Sequence, residues 1–220
     1  MTTPTSTPRS ASYGPWIALA ITALVFAVAL VLYPRMPETV PTHWNAWGEV
    51  DGTMPKHIGA FIGPGTCAFV LLLYVALPRL SGKGMELERF QGAYDAIMLA
   101  LVGAMAVISI TVSLAEVGYE MPTLPIVGCA IGVLFAVLGN FMGKVQRNAF
   151  VGIRTPWTLS NEEVWLRTHR LAGKLFVAGG VVMAVSSFFG PAIIVGVLLA
   201  VGLSFVPIVY SYVLHRRLEG

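Results

Sequence analysis

The sequence predicts an all-α, polytopic membrane protein with six transmembrane helices and both termini in the cytoplasm. Three observations carry that reading. The first is composition: of 220 residues, 56% are hydrophobic and 11% charged, and the mean hydropathy is +0.76, whereas a soluble domain carries about a quarter charged residues. The second is six apolar runs of about the 20 residues that a bilayer core requires. The third is the placement of Lys and Arg. Arg9, then Arg79, Lys83 and Arg89, then Lys144, Arg147, Arg154, Arg167, Arg170 and Lys174, and finally Arg216 and Arg217 fall in alternate connections, while the other connections hold only Arg35 and Lys56. Cytoplasmic segments of membrane proteins are the Lys/Arg-rich ones. The net charge of +3 matters less than this asymmetry.

In chain order, residues 1–13 are rich in Ser, Thr and Pro and read as a disordered cytoplasmic tail. Residues 14–80 hold the first two helices. The first apolar run, Trp16 to Tyr33, continues past a weak A-x-A pattern at Ala27 and Ala29, so it reads as an uncleaved span. A polar island at 34–57 follows, stiffened by four prolines and turned at Gly48 and Asp51-Gly52, and it reads as a compact external loop with Trp44 and Trp47 at headgroup depth. The second span runs from Gly59 to Pro78.

Residues 81–143 hold helices three and four. Ala96, Ala100 and Ala104 in the third span, and Gly128, Gly132, Gly139 and Gly143 in the fourth, have the small-residue spacing that lets membrane helices approach closely. These faces read as sliding surfaces. Residues 144–170 form a cytoplasmic motif loop, and 171–220 hold helices five and six with a short tail, joined at Gly190-Pro191. The layout of two sets of three spans, each with a long loop after its first span, also suggests an inverted repeat.

Few ionisable groups lie near mid-span. Asp95, Glu116 and Lys174 sit near helix ends, within reach of the interface. That pattern argues against a proton-coupled pump built on a mid-membrane carboxylate, but not against a carrier of neutral or amphipathic molecules. No nucleophile stands beside a base and no Gly-rich loop follows a strand, so the sequence indicates no catalytic residue and no cofactor. Cys67 and Cys129 lie in apolar runs and read as small hydrophobes.

Two polar islands remain. In the outer one, His43, Glu49, Asp51 and His57 are candidate metal ligands, with His43, Asp51 and His57 the set that would have to converge. The competing account has His43 and Asn45 satisfying loop backbone groups and Asp51 paired with Lys56. In the inner one, Ser160 and Glu163 have capping-box spacing, Glu162 and Glu163 suit the positive end of a helix dipole, and Glu163 with Arg167 forms an i,i+4 pair. Pro156 biases Thr155 to an extended backbone, and Gly152 gives a flexible point. Arg154, Trp157 and free N–H groups at a helix start would suit an anionic group, such as a lipid phosphate or a partner's carboxylate.

Both islands resemble known sequences. The run YPRMPETVPTHWNAWGEVDGTMPK resembles an N-terminal domain of uncharacterised function found in many bacterial membrane proteins, and GKVQRNAFVGIRTPWTLSNEEVWLRTHRLAGKLF resembles the SdpI family. The outer pattern falls on Pro41, His43, Trp44, Asn45, Gly48, Asp51 and Lys56. The inner one falls on Asn148, Gly152, Arg154, Thr155, Pro156, Trp157, Ser160, Trp165, His169 and Gly173, with Glu163 inside the same motif. The resemblance implies a multi-pass inner-membrane protein in contact with lipid. It implies immunity to an extracellular membrane-active peptide toxin, and signalling by recruitment of a cytoplasmic transcriptional repressor, with no direct contact to nucleic acid. The alternatives are a carrier or flippase-like protein for a small or lipidic substrate, and a metal-dependent membrane enzyme.

Overall fold

The computed structural model describes residues 12–45, 47–81 and 87–219. Most of the tail, with Arg9, and Lys83 of the basic link lie outside the described residues. The elements are α1 (Gly14–Leu32), β1 (Thr39–Trp44), β2 (Val50–Pro55), α2 (Lys56–Leu80), α3 (Gln91–Glu116), α4 (Thr123–Met142), α5 (Pro156–Ser160), α6 (Glu162–Ser186) and α7 (Ala192–Glu219). Among the described residues five helices, α1, α2, α3, α4 and α7, are long and apolar enough to cross a membrane. The expected fifth span, 171–189, lies mostly in α6, whose first half carries Glu162, Glu163, Arg167, Arg170 and Lys174 and is correspondingly less apolar.

The all-α expectation needs one correction. Strands Thr39–Trp44 and Val50–Pro55 pair as an antiparallel hairpin in which Thr39 faces Pro55, Val40 faces Met54 and His43 faces Gly52. Prolines 41 and 55 argue against a strand in a sheet interior, but a two-stranded ribbon has only edges, so a missing N–H is tolerated there. The hairpin is held down by Val40, which is fully buried against α2. Gly59 of α2 lies so close to Val40 that a β-carbon there would collide with it.

Helices α1, α2 and α3 pack on one another, whereas α6 lies between α4 and α7, which barely touch. The two triplets therefore pack differently, a closed triangle against an open row, which counts against the inverted repeat. The glycines of the fourth span make the close approach expected of them, with α6 as the partner. A β-carbon on Gly132 would lie 2.5 Å from the Ala184 nitrogen, one on Gly180 2.5 Å from the Gly132 oxygen, and one on Gly139 2.6 Å from the Gly173 oxygen. These are backbone atoms, so α4 and α6 meet backbone to backbone. Between α3 and α4 there is instead an apolar groove of about 460 Å³ bordered by Ala100, Ala104, Cys129 and Val133.

The antiparallel path of the helices puts the hairpin at one end of the molecule and residues 144–161 at the other. At the motif end, Asp95 of α3 accepts hydrogen bonds from Ser12 Oγ (2.6 Å), Tyr74 OH (2.6 Å) and Gln91 Nε2 (2.7 Å). It is thus a tie between α1, α2 and α3 rather than a group reaching for the interface, and Ser12 is held in place at the end of the tail. At the hairpin end Glu116 is also buried, 4% exposed, which corrects the expectation that it reaches the interface.

Candidate functional site

The motif end is organised around Asn148, which has no exposed surface. Its Oδ1 accepts from the Phe150 and Val151 nitrogens (2.7 and 2.6 Å), and its Nδ2 donates to the Gln146 and Val151 oxygens (2.8 and 2.9 Å). All four hydrogen-bonding positions of the amide are filled, which fixes a loop that has no regular structure of its own. The chain then passes Gly152, whose φ of +112° is a region other residues avoid. A side chain there would also run into the His169 ring.

His169 and Trp165 form the floor beneath this loop. Both are buried on α6 and stack with ring centroids 4.0 Å apart. Trp165 Nε1 donates to the Val145 oxygen (2.8 Å). The Ile153 N–H donates to His169 Nε2 (3.0 Å), so Nε2 is the acceptor nitrogen and Nδ1 carries the proton, donating to the Trp165 oxygen (2.8 Å). Burial pushes the imidazole pKa down from 6.5 to about 4, partly opposed by the bond to Trp165.

That depression has a testable sign. Between pH 6.5 and about 4 the unfolded chain takes up a proton on His169 that the folded one refuses, so this residue removes stability as pH falls through that window and contributes no slope above it. The full effect is about 3 kcal/mol. Thermal unfolding of the detergent-solubilised protein should show this loss on acidification, and H169F, which cannot titrate, should show a shallower pH dependence over the same range. Equal slopes would mean that another group sets the acid limb.

Thr155 and Thr158 start α5. Thr155 Oγ1 accepts from the Thr158 nitrogen (3.3 Å), while the Thr155 nitrogen donates to Thr158 Oγ1 (2.9 Å), and Pro156 occupies the first turn. Arg147 donates to the Leu159 oxygen (3.1 Å) at the other end. The capping box expected of Ser160 and Glu163 is absent. Ser160 belongs to α5 and bonds back to Trp157 (3.2 Å), and Asn161 caps α6 by accepting from the Glu163 and Val164 nitrogens (2.9 and 3.2 Å). Two adjacent cap-forming residues competed for one helix start, and the one following the α5 turn took it. The Glu163–Arg167 pair does form (2.5 Å).

Trp157 reaches across to α7. Its Nε1 donates to Ser211 Oγ (2.7 Å), and its ring meets Tyr212 edge-on and stacks on His215. The partners Thr158, Ser211, Tyr212 and His215 carry no motif signal in the sequence; only the fold shows that α7 ends beside α5. Arg154 is exposed, while the Glu163 and Val164 N–H groups at the start of α6 are taken by Asn161. Gly173 faces the Gly139 carbonyl rather than the motif loop.

The hairpin end is built on Asn45. Its Oδ1 accepts from the Trp47 and Glu49 nitrogens (2.9 and 3.0 Å), and its Nδ2 donates to Glu49 (2.9 Å). Gly48 supplies the positive φ (+83°) that closes the turn. The hairpin register puts Asp51 beside His43, with Nδ1 2.5 Å from Oδ1. Lys56 pairs with Glu38 (2.9 Å), which corrects the expected Asp51–Lys56 pair. Lys56 also lies over the Tyr33 ring and Arg35 over Tyr119. Trp47 is exposed, and Trp44 borders a cavity of about 260 Å³ with Thr42, His43, Ile108 and Leu124. Pro41, half-buried, sits in β1 facing Thr53. Among the described residues no three His, Cys, Asp or Glu side chains gather as for a metal ion; His57 lies exposed on the first turn of α2.

These features define a class: a multi-pass membrane protein with a small hairpin at one end and, at the other, a motif loop clamped onto two helices. Residues 144–211 match the SdpI/YfhL protein family, and residues 20–68 match a domain of unknown function, DUF1648. The chain is 29% identical over 206 residues to Immunity protein SdpI of Bacillus subtilis (strain 168), covering 93% of this chain and 97% of that protein. No solved structure matches. The SdpI-family resemblance read from the two islands thus stands, as does the assignment to the cell membrane.

Proposed function

We propose that this protein is a membrane immunity protein that meets a membrane-active peptide at the hairpin end and relays its presence to the motif end. The similarity to Immunity protein SdpI along 93% of the chain carries the reading. Both ends hold their motif residues on defined geometry, as recognition requires. The orientation follows from charge: the hairpin end holds Arg35 and Lys56, each beside an aromatic ring, and the motif end holds most of the remaining Lys and Arg. The hairpin is external, both termini are cytoplasmic, and α6 crosses the membrane as the fifth of six spans despite its polar start. In the cytoplasm, exposed Arg154 and the outer face of α5 form the surface offered to a regulator such as a transcriptional repressor.

Survival of a strain lacking the gene, challenged with a panel of membrane-active peptides, tests this. The wild-type gene should restore growth against at least one peptide; failure against all of them would contradict the immunity reading. Orientation is tested separately in a cysteine-free background. A membrane-impermeant thiol reagent should label E49C in intact cells and R154C only after permeabilisation, and the opposite pattern would invert the assignment.

A further inference from the structure

The buried carboxylate of Glu116 has no role in the motifs. It ends α3 with both oxygens buried and without a hydrogen-bond partner. Burying a carboxylate without compensation costs several kcal/mol. Glu116 borders a cavity of about 180 Å³ between α2 and α3, covered by Thr42 of the hairpin.

The walls have a definite chemistry. Met105, Ser109, Val112 and Glu116 repeat at helical spacing along one face of α3, and Thr66 looks in from α2. Gly63 sets the spacing of the two helices, because any side chain there would collide with Ser109. Thr66 Oγ1 donates to the Ile62 oxygen (2.8 Å), which leaves its lone pairs as acceptors. The site therefore offers one carboxyl group, hydroxyl acceptors and an apolar flank.

We infer that the cavity bordered by Glu116, Ser109, Thr66 and Thr42 is a subsite for one primary ammonium group on an aliphatic stem. An ammonium has three N–H donors and no acceptor, which suits the Glu116 carboxylate, and its methylenes suit the Val112 and Met105 face of α3 that runs on from it. A divalent metal takes six or more oxygens, usually from several carboxylates, and here there is one carboxylate on a half-apolar wall. The natural source, a lysine or N-terminal amine of a membrane-active peptide, rests on the proposed function; the chemistry of the subsite does not.

The test uses the full chain in lipid nanodiscs, with n-butylammonium chloride as probe, n-butanol as its neutral counterpart and sodium chloride as the metal control. Butylammonium should bind saturably by calorimetry and raise the melting temperature, and butanol should do neither. E116Q should bind at least about tenfold more weakly while melting no lower than the wild type without ligand, since it removes an uncompensated charge. S109A, which deletes one acceptor, should weaken binding only a few-fold. Equal binding by E116Q and wild type would overturn the proposal, as would sodium displacing butylammonium at comparable concentration. Glu116-dependent binding in a protein that protects against no peptide would keep the subsite and remove the peptide as its source.

Discussion

Gly180→Leu should prevent the protein from folding, while Gly202→Leu should leave it intact. A β-carbon at Gly180 would lie 2.5 Å from both the Ala136 nitrogen and the Gly132 oxygen, whereas one at Gly202 meets nothing within 4 Å. Backbone atoms cannot rotate aside as side chains do, so α4 and α6 would have to separate along their whole contact. Overpacking of this kind costs about 3 kcal/mol or more, and in a bilayer no hydrophobic drive holds the separated helices together. Size-exclusion profiles and melting curves of the two variants in detergent would check this. A monodisperse Gly180→Leu protein with wild-type melting would show that the close crossing does not hold the second half together.

Trp165→Ala should be the most damaging change at the motif end. The indole is fully buried, stacks on His169 and holds the Val145 carbonyl. Truncating a buried tryptophan costs about 3–5 kcal/mol, and the orphaned carbonyl adds about 1–3 kcal/mol. Trp165→Phe keeps most of the packing and loses mainly the hydrogen bond, about 1 kcal/mol. Limited proteolysis should therefore cut within 144–161 rapidly in the alanine variant and slowly in the phenylalanine one. Similar cutting rates in wild type and Trp165→Ala would mean that the Asn148 network holds the loop unaided.

The long apolar helices were legible in the sequence because membrane thickness imposes a length and a composition that composition alone can reveal. The roles of Gly48 and Pro156 were legible too, since each follows from backbone geometry at a single position. What could not be read depends on who meets whom across the fold. The hairpin hid behind Pro41 and Pro55, which weaken any strand signal, and its register, not local spacing, gives Asp51 to His43 and Lys56 to Glu38. Thr155 and Thr158 cap each other through two hydroxyls, a pair without the Glu or Gln that marks a capping box. Glu116 looked like a helix-end residue because the hairpin that covers its cavity was not visible as a hairpin. Trp157 looked available to a ligand until α7 placed Ser211 against it.

Under the proposed function, labour is divided, with protection at the hairpin and reporting at the motif loop. His43 is exposed and paired with Asp51, and Arg154 is exposed on the opposite end, so neither substitution removes a buried side chain. The direct test is peptide survival of a deletion strain supplied with wild-type, His43→Ala or Arg154→Ala genes at matched expression. Protection lost in His43→Ala and kept in Arg154→Ala is the expected result. Protection kept in His43→Ala and lost in Arg154→Ala would contradict it and move recognition to the other face of the membrane.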